Sequence, residues 1–320
     1  MGVRSGFLSH ADRRGRVSAG GIGAALRRRR ARESAGDWGK QPAIFAFRNP
    51  VRCAKSRGKV EESEIMDHAR REDRDGVAVV TLDRQDKRNA MSIAMRDAIW
   101  AAVEDLRERE DLRVLLIRAE GAFFTAGIDI VEHQKTSSHT RSMMRFRRDY
   151  RRNLHQFLDE MEAVEKPVVM AINGPCLGLG VEMAGAVDFR IASETAWFAL
   201  PEVDLGMIAG SGGTSRIVRL CGVGWAKWLG MAGERMDADT ARIAGLVQAV
   251  WPQDRFEAEV WAFCERLTKR PADAMGVSKL AIDLCRDLDR ASGRTVERLA
   301  NTPLALRDNT GLVAKRLKGE

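Results

Sequence analysis

The chain has 320 residues, 44% of them apolar, and 53 Lys and Arg against 45 Asp and Glu give a formal charge of +8. That is enough apolar chain for one large or two ordinary domains with a true core, and no run approaches the roughly 18 apolar residues of a membrane-crossing helix. The expectation is a soluble, non-secreted protein whose five cysteines (Cys53, Cys176, Cys221, Cys264 and Cys285), widely spaced and without a C-x-x-C pair, are reduced and mostly buried.

From the N-terminus, the charge resolves at once. Residues 1–65 hold 15 Lys and Arg against 6 Asp and Glu, with Arg27 to Arg30 in a row, and the remaining residues hold 38 against 39. A Gly- and Ser-rich stretch of that charge, with no apolar period, reads as a disordered basic extension. It fits a segment upstream of a true start at Met66, which leaves a cytoplasmic protein, or an Arg-rich organelle-targeting peptide, which leaves an organelle-matrix one. A nucleic-acid-binding arm is the third reading, and the neutral body offers nucleic acid no other footing.

Periodic elements begin near Gly76. Val77 to Leu82 is a β-branched strand, Ile93 to Arg107 an amphipathic helix, and Val114 to Ile117 an apolar strand. A long polar-faced helix spans Arg141 to Glu165, followed by strands at Pro167 to Ile172 and Asp188 to Ala192. Strands alternating with helices predict an α/β core with a mostly parallel sheet over residues 66–255. Beyond Gly212 only Val247 to Trp251 looks extended, so residues 256–320 read as a helical annex.

Three stretches interrupt this pattern. The strand ending at Ile172 gives way to Asn173-Gly174-Pro175, a turn, and Leu177 to Ala184 then has helical composition. A helix starting there points its unpaired N–H groups outward, and its glycines let a ligand approach the backbone, which suits negative charge. It is no phosphate loop, since G-x-x-x-x-G-K-[ST] is missing and Gly178-x-Gly180-x-x-Met183 lacks the third glycine of a dinucleotide fingerprint. What remains is an oxyanion cradle, with Glu182 about one turn beyond it. Upstream, Gly121 to Ile130 repeats the arrangement after Val114 to Ile117, so each turn could lend one N–H to one oxygen. The third stretch, Trp197 to Gly206, brings a second isolated acid, Glu202, out of apolar surroundings. The five histidines (His10, His68, His133, His139, His155) show no metal-ligand spacing, and Ser211 lies outside any G-x-S-x-G elbow. Neither a metal nor a serine triad is expected.

In this order and spacing the stretches resemble the enoyl-CoA hydratase/isomerase, or crotonase, family over residues 75–316. The resemblance rests on Arg84-x-x-Lys87-Arg88-Asn89-Ala90-Met91-Ser92, on FFTAGIDI from Phe123, on KPVVMAINGPCLGLGVEMAGAVDFRIAS from Lys166, and on PEVDLGMIAGSGGTSRI from Pro201. It implies a spiral of ββα units with a C-terminal helical region at 256–320 that assembles trimers or dimers of trimers, with Trp225, Trp228 and Leu229 as apolar surface. It also implies an acyl-CoA thioester substrate and no cofactor beyond the substrate's own coenzyme A. Glu182 and Glu202 fall on the catalytic glutamates, and Ile128 and Leu179 on the backbone oxyanion donors. Lys87, Arg88, Ala90, Ala126, Gly127, Asp129, Ile130 and Gly178 fall on the CoA channel. Residues 131–150 would form the acyl-pocket lid. Leu179 stands where a glycine is usual, and Val131 where several hydratases have a lysine. The dienoyl-CoA isomerase branch keeps its second acid at the position of Gly210, so Glu202 favours hydration, with a Δ3-Δ2 or dienoyl-CoA isomerase of the same fold, or a non-catalytic acyl-CoA-binding protein, as alternatives. Hydrolase or dehalogenase variants usually lack one of the two glutamates.

Overall fold

The computed structural model describes residues 64–66, 68–137 and 142–318. The basic extension, apart from its last two residues, lies outside the described residues, as do Arg141 and His139. Two strands open the fold, β1 (Glu64–Met66) and the highly charged β2 (Ala69–Arg74), and β2 pairs antiparallel with β3 (Val77–Leu82). Asp75 and Gly76 join β2 to β3 with φ of 51° and 79°. Positive φ at both central residues is what a tight hairpin turn between right-twisted strands requires.

The chain then alternates. Helix α1 (Ile93–Glu108) is followed by β4 (Val114–Ala119), α2 (Ile130–Ser137) and α3 (Met143–Tyr150). A π-turn at Arg151–His155 carries α3 into α4 (Gln156–Ala163), so the predicted long helix is one rod with a widened turn in its middle. Next come β5 (Val168–Ile172), β6 (Cys176–Leu177), α5 (Leu179–Ala184), β7 (Phe189–Ser193), β8 (Trp197–Ala199) and a 3-10 turn at Pro201–Leu205. Helix α6 (Gly213–Gly230), β9 (Met236–Asp237), α7 (Ala238–Ala244) and β10 (Ala249–Trp251) complete the sheets. Helices α8 (Phe256–Thr268), α9 (Ala272–Cys285), α10 (Arg290–Leu306) and α11 (Thr310–Leu317) follow.

The main sheet runs β1-β2-β3-β4-β5-β7-β10, parallel from β3 onward, and β6-β8-β9 form a small second sheet. Both faces of the main sheet are covered, which is why its central strands read as unbroken apolar runs. In β3, Ala78, Val80 and Leu82 face the cluster containing α1, while Val77 and Val79 face Phe256, Val260 and Cys264 of α8. Helix α1 meets the sheet through Met95, Ala98, Ile99, Ala102, Val103 and Leu106, a stripe at helical period, and its N-cap Ser92 accepts the Met95 N–H.

Helix α8 is thus part of the body, whereas α9, α10 and α11 keep apolar residues such as Ile282, Leu299 and Leu306 exposed. Of the three residues expected as apolar surface, Trp228 is exposed and Trp225 half-buried, but Leu229 is fully buried in the main core. It follows the core-facing stripe of α6 rather than its outer side. Among the described residues no helix is long and apolar enough to cross a membrane.

Phe157 of α4 is wholly buried and packs against Trp100 of α1 with ring centroids 6.0 Å apart. Phe157→Ala is expected to cost about 3–5 kcal/mol, seen as a lower urea midpoint at unchanged slope.

Candidate active site

Two turns leave adjacent parallel strands and stay side by side. After β4 and β5, Thr125 bridges Cys176: the Thr125 N–H donates to Pro175 O (3.2 Å) and the Leu177 N–H to Thr125 O (3.0 Å). Carrying that register forward sets Gly127 beside Gly178, and Ile128 beside Leu179. The contact is between backbones. A Cβ on Gly127 would stand 3.1 Å from Leu177 O and 3.6 Å from Gly178 Cα, and both glycines have positive φ, 94° and 53°. No other residue fits both demands at once.

Ile128 also bridges Met91, and both bonds of that bridge belong to Met91, which donates to Gly127 O (2.7 Å) and accepts from the Asp129 N–H (3.0 Å). In a parallel ladder the opposite residue turns its own N–H the other way. Leu179 opens α5, where an N–H has no partner within its helix. The two predicted oxyanion donors therefore sit at matching positions on neighbouring segments.

A third segment locks the first turn. Arg88 and Asn89 are both left-handed, with φ of 52° and 53°. Buried Asn89 donates through Nδ2 to Glu120 O (2.9 Å) and Phe123 O (2.8 Å) and accepts the Arg84 N–H at Oδ1 (2.7 Å). Its own carbonyl accepts from Thr125 Oγ1 (2.6 Å), and the Arg88 carbonyl from the Ala126 N–H (2.9 Å). Lys87 and Arg88 are exposed beside this turn and Ala90 half-buried, so the predicted CoA-channel residues of the two segments come together. Asp129 is engaged structurally, paired with Arg84 Nη1 (2.7 Å) and capping α2 through the Glu132 N–H (3.0 Å). That cap, more than Arg84, holds its carboxyl below the usual range despite partial burial.

Glu182 lies one helical turn beyond Leu179 and is 4% exposed. Its Oε1 accepts the Ser211 N–H (2.7 Å) and the Gly213 N–H (3.3 Å), so one loop after the 3-10 turn supplies both donors. Burial raises its pKa, and these two bonds and then Arg216 oppose the rise. Glu202 lies against the other end of the cradle, where a Cβ on Gly178 would meet its Oε1 at 3.0 Å. Its Oε2 is buried with no partner. Burial lifts this carboxyl to about 7, and the Glu182 charge adds to the rise.

The loop that holds Glu182 is clamped from the π-turn side. Tyr150, the chain's single tyrosine, shares a 2.9 Å hydrogen bond with Ser211 Oγ, and His155 Nε2 donates to Gly210 O (2.7 Å). Tyr150 and His155 meet edge to face at 5.3 Å. A Cβ on Gly210 would be 3.0 Å from Tyr150 Oη, so the tyrosine occupies the space beside that glycine. Burial, and with it the charges of Glu182 and Glu202, holds the phenol above its ordinary range, although its bond to Ser211 opposes this.

An open cavity adjoins the cradle. Ile128, Asp129 and Leu179 line it together with Met91, Phe146 and Tyr150, so parts of α1, α2 and α3 form its walls. Neither glutamate is part of that wall; Tyr150 connects the two regions. His155 and Ser211 are residues for which the sequence assigned no role, and the structure gives Asn89 and Tyr150, read there only as parts of the CoA-channel and lid stretches, specific bonding partners. Among the described residues no three His, Cys, Asp or Glu side chains converge on a metal position.

Folding raises the Glu202 pKa, so its favourable contribution is complete below its unfolded value of about 4.3 and is lost as pH rises through about 7. Glu202→Gln is expected to stabilise the fold at pH 8 by on the order of 1 kcal/mol after allowance for solvent, with the gain vanishing below pH 5. Melting curves at both pH values check this.

Residues 72–301 match the family described as enoyl-CoA hydratase/isomerase. Among relatives, the enoyl-CoA isomerase/hydratase fer4 of Mycosarcoma maydis is 33% identical over 238 residues, covering 72% of this chain and 85% of the relative. The mouse (Mus musculus) protein named enoyl-CoA hydratase domain-containing protein 2, mitochondrial, is 30% identical over 263 residues, covering 81% and 86%. The crystal structure of enoyl-CoA hydratase from Bacillus anthracis superposes with a TM-score of 0.71 at 29% identity, over 78% of this chain and 96% of that one. The mixed α/β body with its C-terminal helices is thus the crotonase fold, and the chain belongs to the enoyl-CoA hydratase/isomerase family.

Proposed function

We propose that the protein hydrates 2-trans-enoyl-CoA thioesters to 3-hydroxyacyl-CoA, with Ile128 and Leu179 as oxyanion donors and Glu182 and Glu202 as the acid-base pair. The observation that carries the reading is the placement of a buried carboxylate, Glu182, and a half-buried one, Glu202, beside two neighbouring backbone turns that meet at one glycine contact. Adding water across the conjugated double bond passes through an enolate-like state with its charge on the thioester oxygen. Two preorganised donors act most strongly there, and losing one such donor typically costs about 10²- to 10³-fold in rate.

The remaining work is two proton transfers. Glu182, whose anion is supported by two N–H bonds, takes a proton from the water that attacks C3. Glu202, raised to about 7 and with one unpartnered oxygen, holds a proton near neutral pH and delivers it to C2. This scheme uses no metal and no cofactor beyond the coenzyme A of the substrate, whose channel runs past residues 87–90 and 126–130. The second acid at Glu202, with glycine at 210, favours hydration over dienoyl isomerisation. A Δ3-Δ2 isomerase with a single base is the second reading, because the fer4 relative is named for both activities.

The apolar residues left exposed on α9 to α11 support assembly into a trimer or a dimer of trimers. Scattering at monomer mass would count against it. The mitochondrial relative gives weight to the organelle-matrix reading of the Arg-rich residues 1–65 over the cytoplasmic one.

Crotonyl-CoA hydration, followed as loss of absorbance at the conjugated thioester, tests the proposal. Glu182→Gln and Glu202→Gln are each expected to lower kcat by about 10²-fold or more with little change in KM, since each interaction is made in the transition state. The double variant should fall by less than the product. Near-parent hydration by both single variants rejects the catalytic assignment. If 3-enoyl-CoA is converted while one variant stays almost fully active, the isomerase reading replaces it.

A further inference from the structure

The cavity beside the oxyanion donors is not built for a plain hydrocarbon. Its wall includes Arg96, from the first turn of α1, and His133, from α2, and Asn153 of the π-turn adds an amide. The Arg96 side chain is 15% exposed. A guanidinium largely shielded from water is costly unless a counter-charge meets it. Among the described residues its ion-pair partner is the adjacent Asp97, which binds Nη2 (2.6 Å) and Nε (3.0 Å) and is itself 57% exposed. An ion pair so open to water is weak and easily exchanged, and it leaves Nη1 of the guanidinium fork for a ligand.

His133 stands close to that charge. Burial first, and then the field of Arg96, holds its imidazole below the ordinary histidine range. The three acids of the same wall are already engaged: Asp129 pairs with Arg84 Nη1 (2.7 Å), Glu132 Oε2 accepts the Ile93 N–H (3.1 Å), and Asp149 lies 3.7 Å from Arg145 and 3.5 Å from Arg148. A pocket that begins at two N–H donors and contains a guanidinium beside an imidazole is matched by an acyl chain with a thioester carbonyl at one end and a carboxylate at the other.

We propose that Arg96, with His133 and Asn153 beside it, receives a carboxylate at the far end of the acyl chain, so that the preferred substrates are CoA thioesters of dicarboxylic acids. Arg suits this role because its planar fork binds a carboxylate through two parallel N–H bonds. The proposal takes from the preceding reading only that this cavity holds the acyl group.

Calorimetric binding of saturated thioesters separates the two ideas, because it needs no turnover. Glutaryl-, adipoyl- and suberoyl-CoA are compared with pentanoyl-, hexanoyl- and octanoyl-CoA on the full chain at pH 7. At one or more lengths the dicarboxylic thioester is expected to bind at least about tenfold tighter, as a charged hydrogen-bonded contact allows. Arg96→Met should shrink that ratio by about 10- to 100-fold, and Arg96→Lys by less. His133, followed by NMR titration, should rise in pKa when adipoyl-CoA is bound, because the bound anion offsets the Arg96 charge. If Arg96→Met does not fold, His133→Leu must lower the same ratio. Equal or tighter binding of the plain acyl thioester at all three lengths overturns the proposal, as does a ratio that Arg96→Met leaves unmoved. Discrimination without any hydration would reject the hydratase reading alone, and hydration without discrimination would reject this one alone.

Discussion

Everything at the candidate site depends on two stretches of backbone meeting with no side chain between them. Gly127 and Gly178 each carry positive φ and lie side by side, so that a Cβ on Gly127 would press on Leu177 O and a Cβ on Gly178 on the Glu202 carboxyl. This contact fixes the spacing of Ile128 and Leu179, and hence whether two N–H groups can address one oxygen. Bare backbone is poor at holding itself in place. The rigidity comes from the register of β4 and β5 behind it and from Asn89, whose side chain ties three backbone groups into one knot.

The second constraint is electrostatic. Two carboxylates in one largely buried region disfavour each other's ionisation, and burial disfavours both. For Glu182 the fold offsets this with two backbone N–H bonds from a loop that is itself fastened by Tyr150, His155 and Arg216; Arg216 in turn pairs with Asp159 and Glu162 of α4. Glu202 receives less help and keeps an unpartnered oxygen. The asymmetry is chemically useful, because one acid is steadied as an anion while the other is left near the point of holding its proton.

Much of this was legible in the sequence because the underlying constraints are local. Apolar runs with helices between them announced the parallel sheet, and glycines at the ends of two such runs marked where a ligand could reach backbone. Strand β2 escaped because its residues, Ala69 to Arg74, are almost all charged and show no apolar alternation. The Asp75-Gly76 pair, a strong hairpin signal, was the feature that could have found it. The clamp of Tyr150 and His155 on the Glu182 loop escaped for a different reason. They lie in a polar stretch and gain meaning only when the π-turn brings them against Gly210 and Ser211, about 55 to 61 positions away. Leu229 was misjudged because apolar residues in a helical segment do not say which face meets the core, and the kink at Gly222 resets the phase of α6.

These two kinds of legibility separate what the fold shares with its relatives from what is individual to this chain. The cradle is made of main chain, so its signature is a set of glycines and turns that lie close together in sequence. The cavity walls are made of side chains from α1, α2 and α3, elements that meet only in three dimensions. Arg96 illustrates the difference. Within α1 it looks like one more solvated charge, since the helix buries its 95, 98, 99, 102 stripe and leaves 96 off it. Only when α2 brings His133 alongside does that charge become part of a cavity wall. The shared fold is thus written in backbone turns and can be read along the chain, whereas the cavity wall is written across elements and has to be read from their packing.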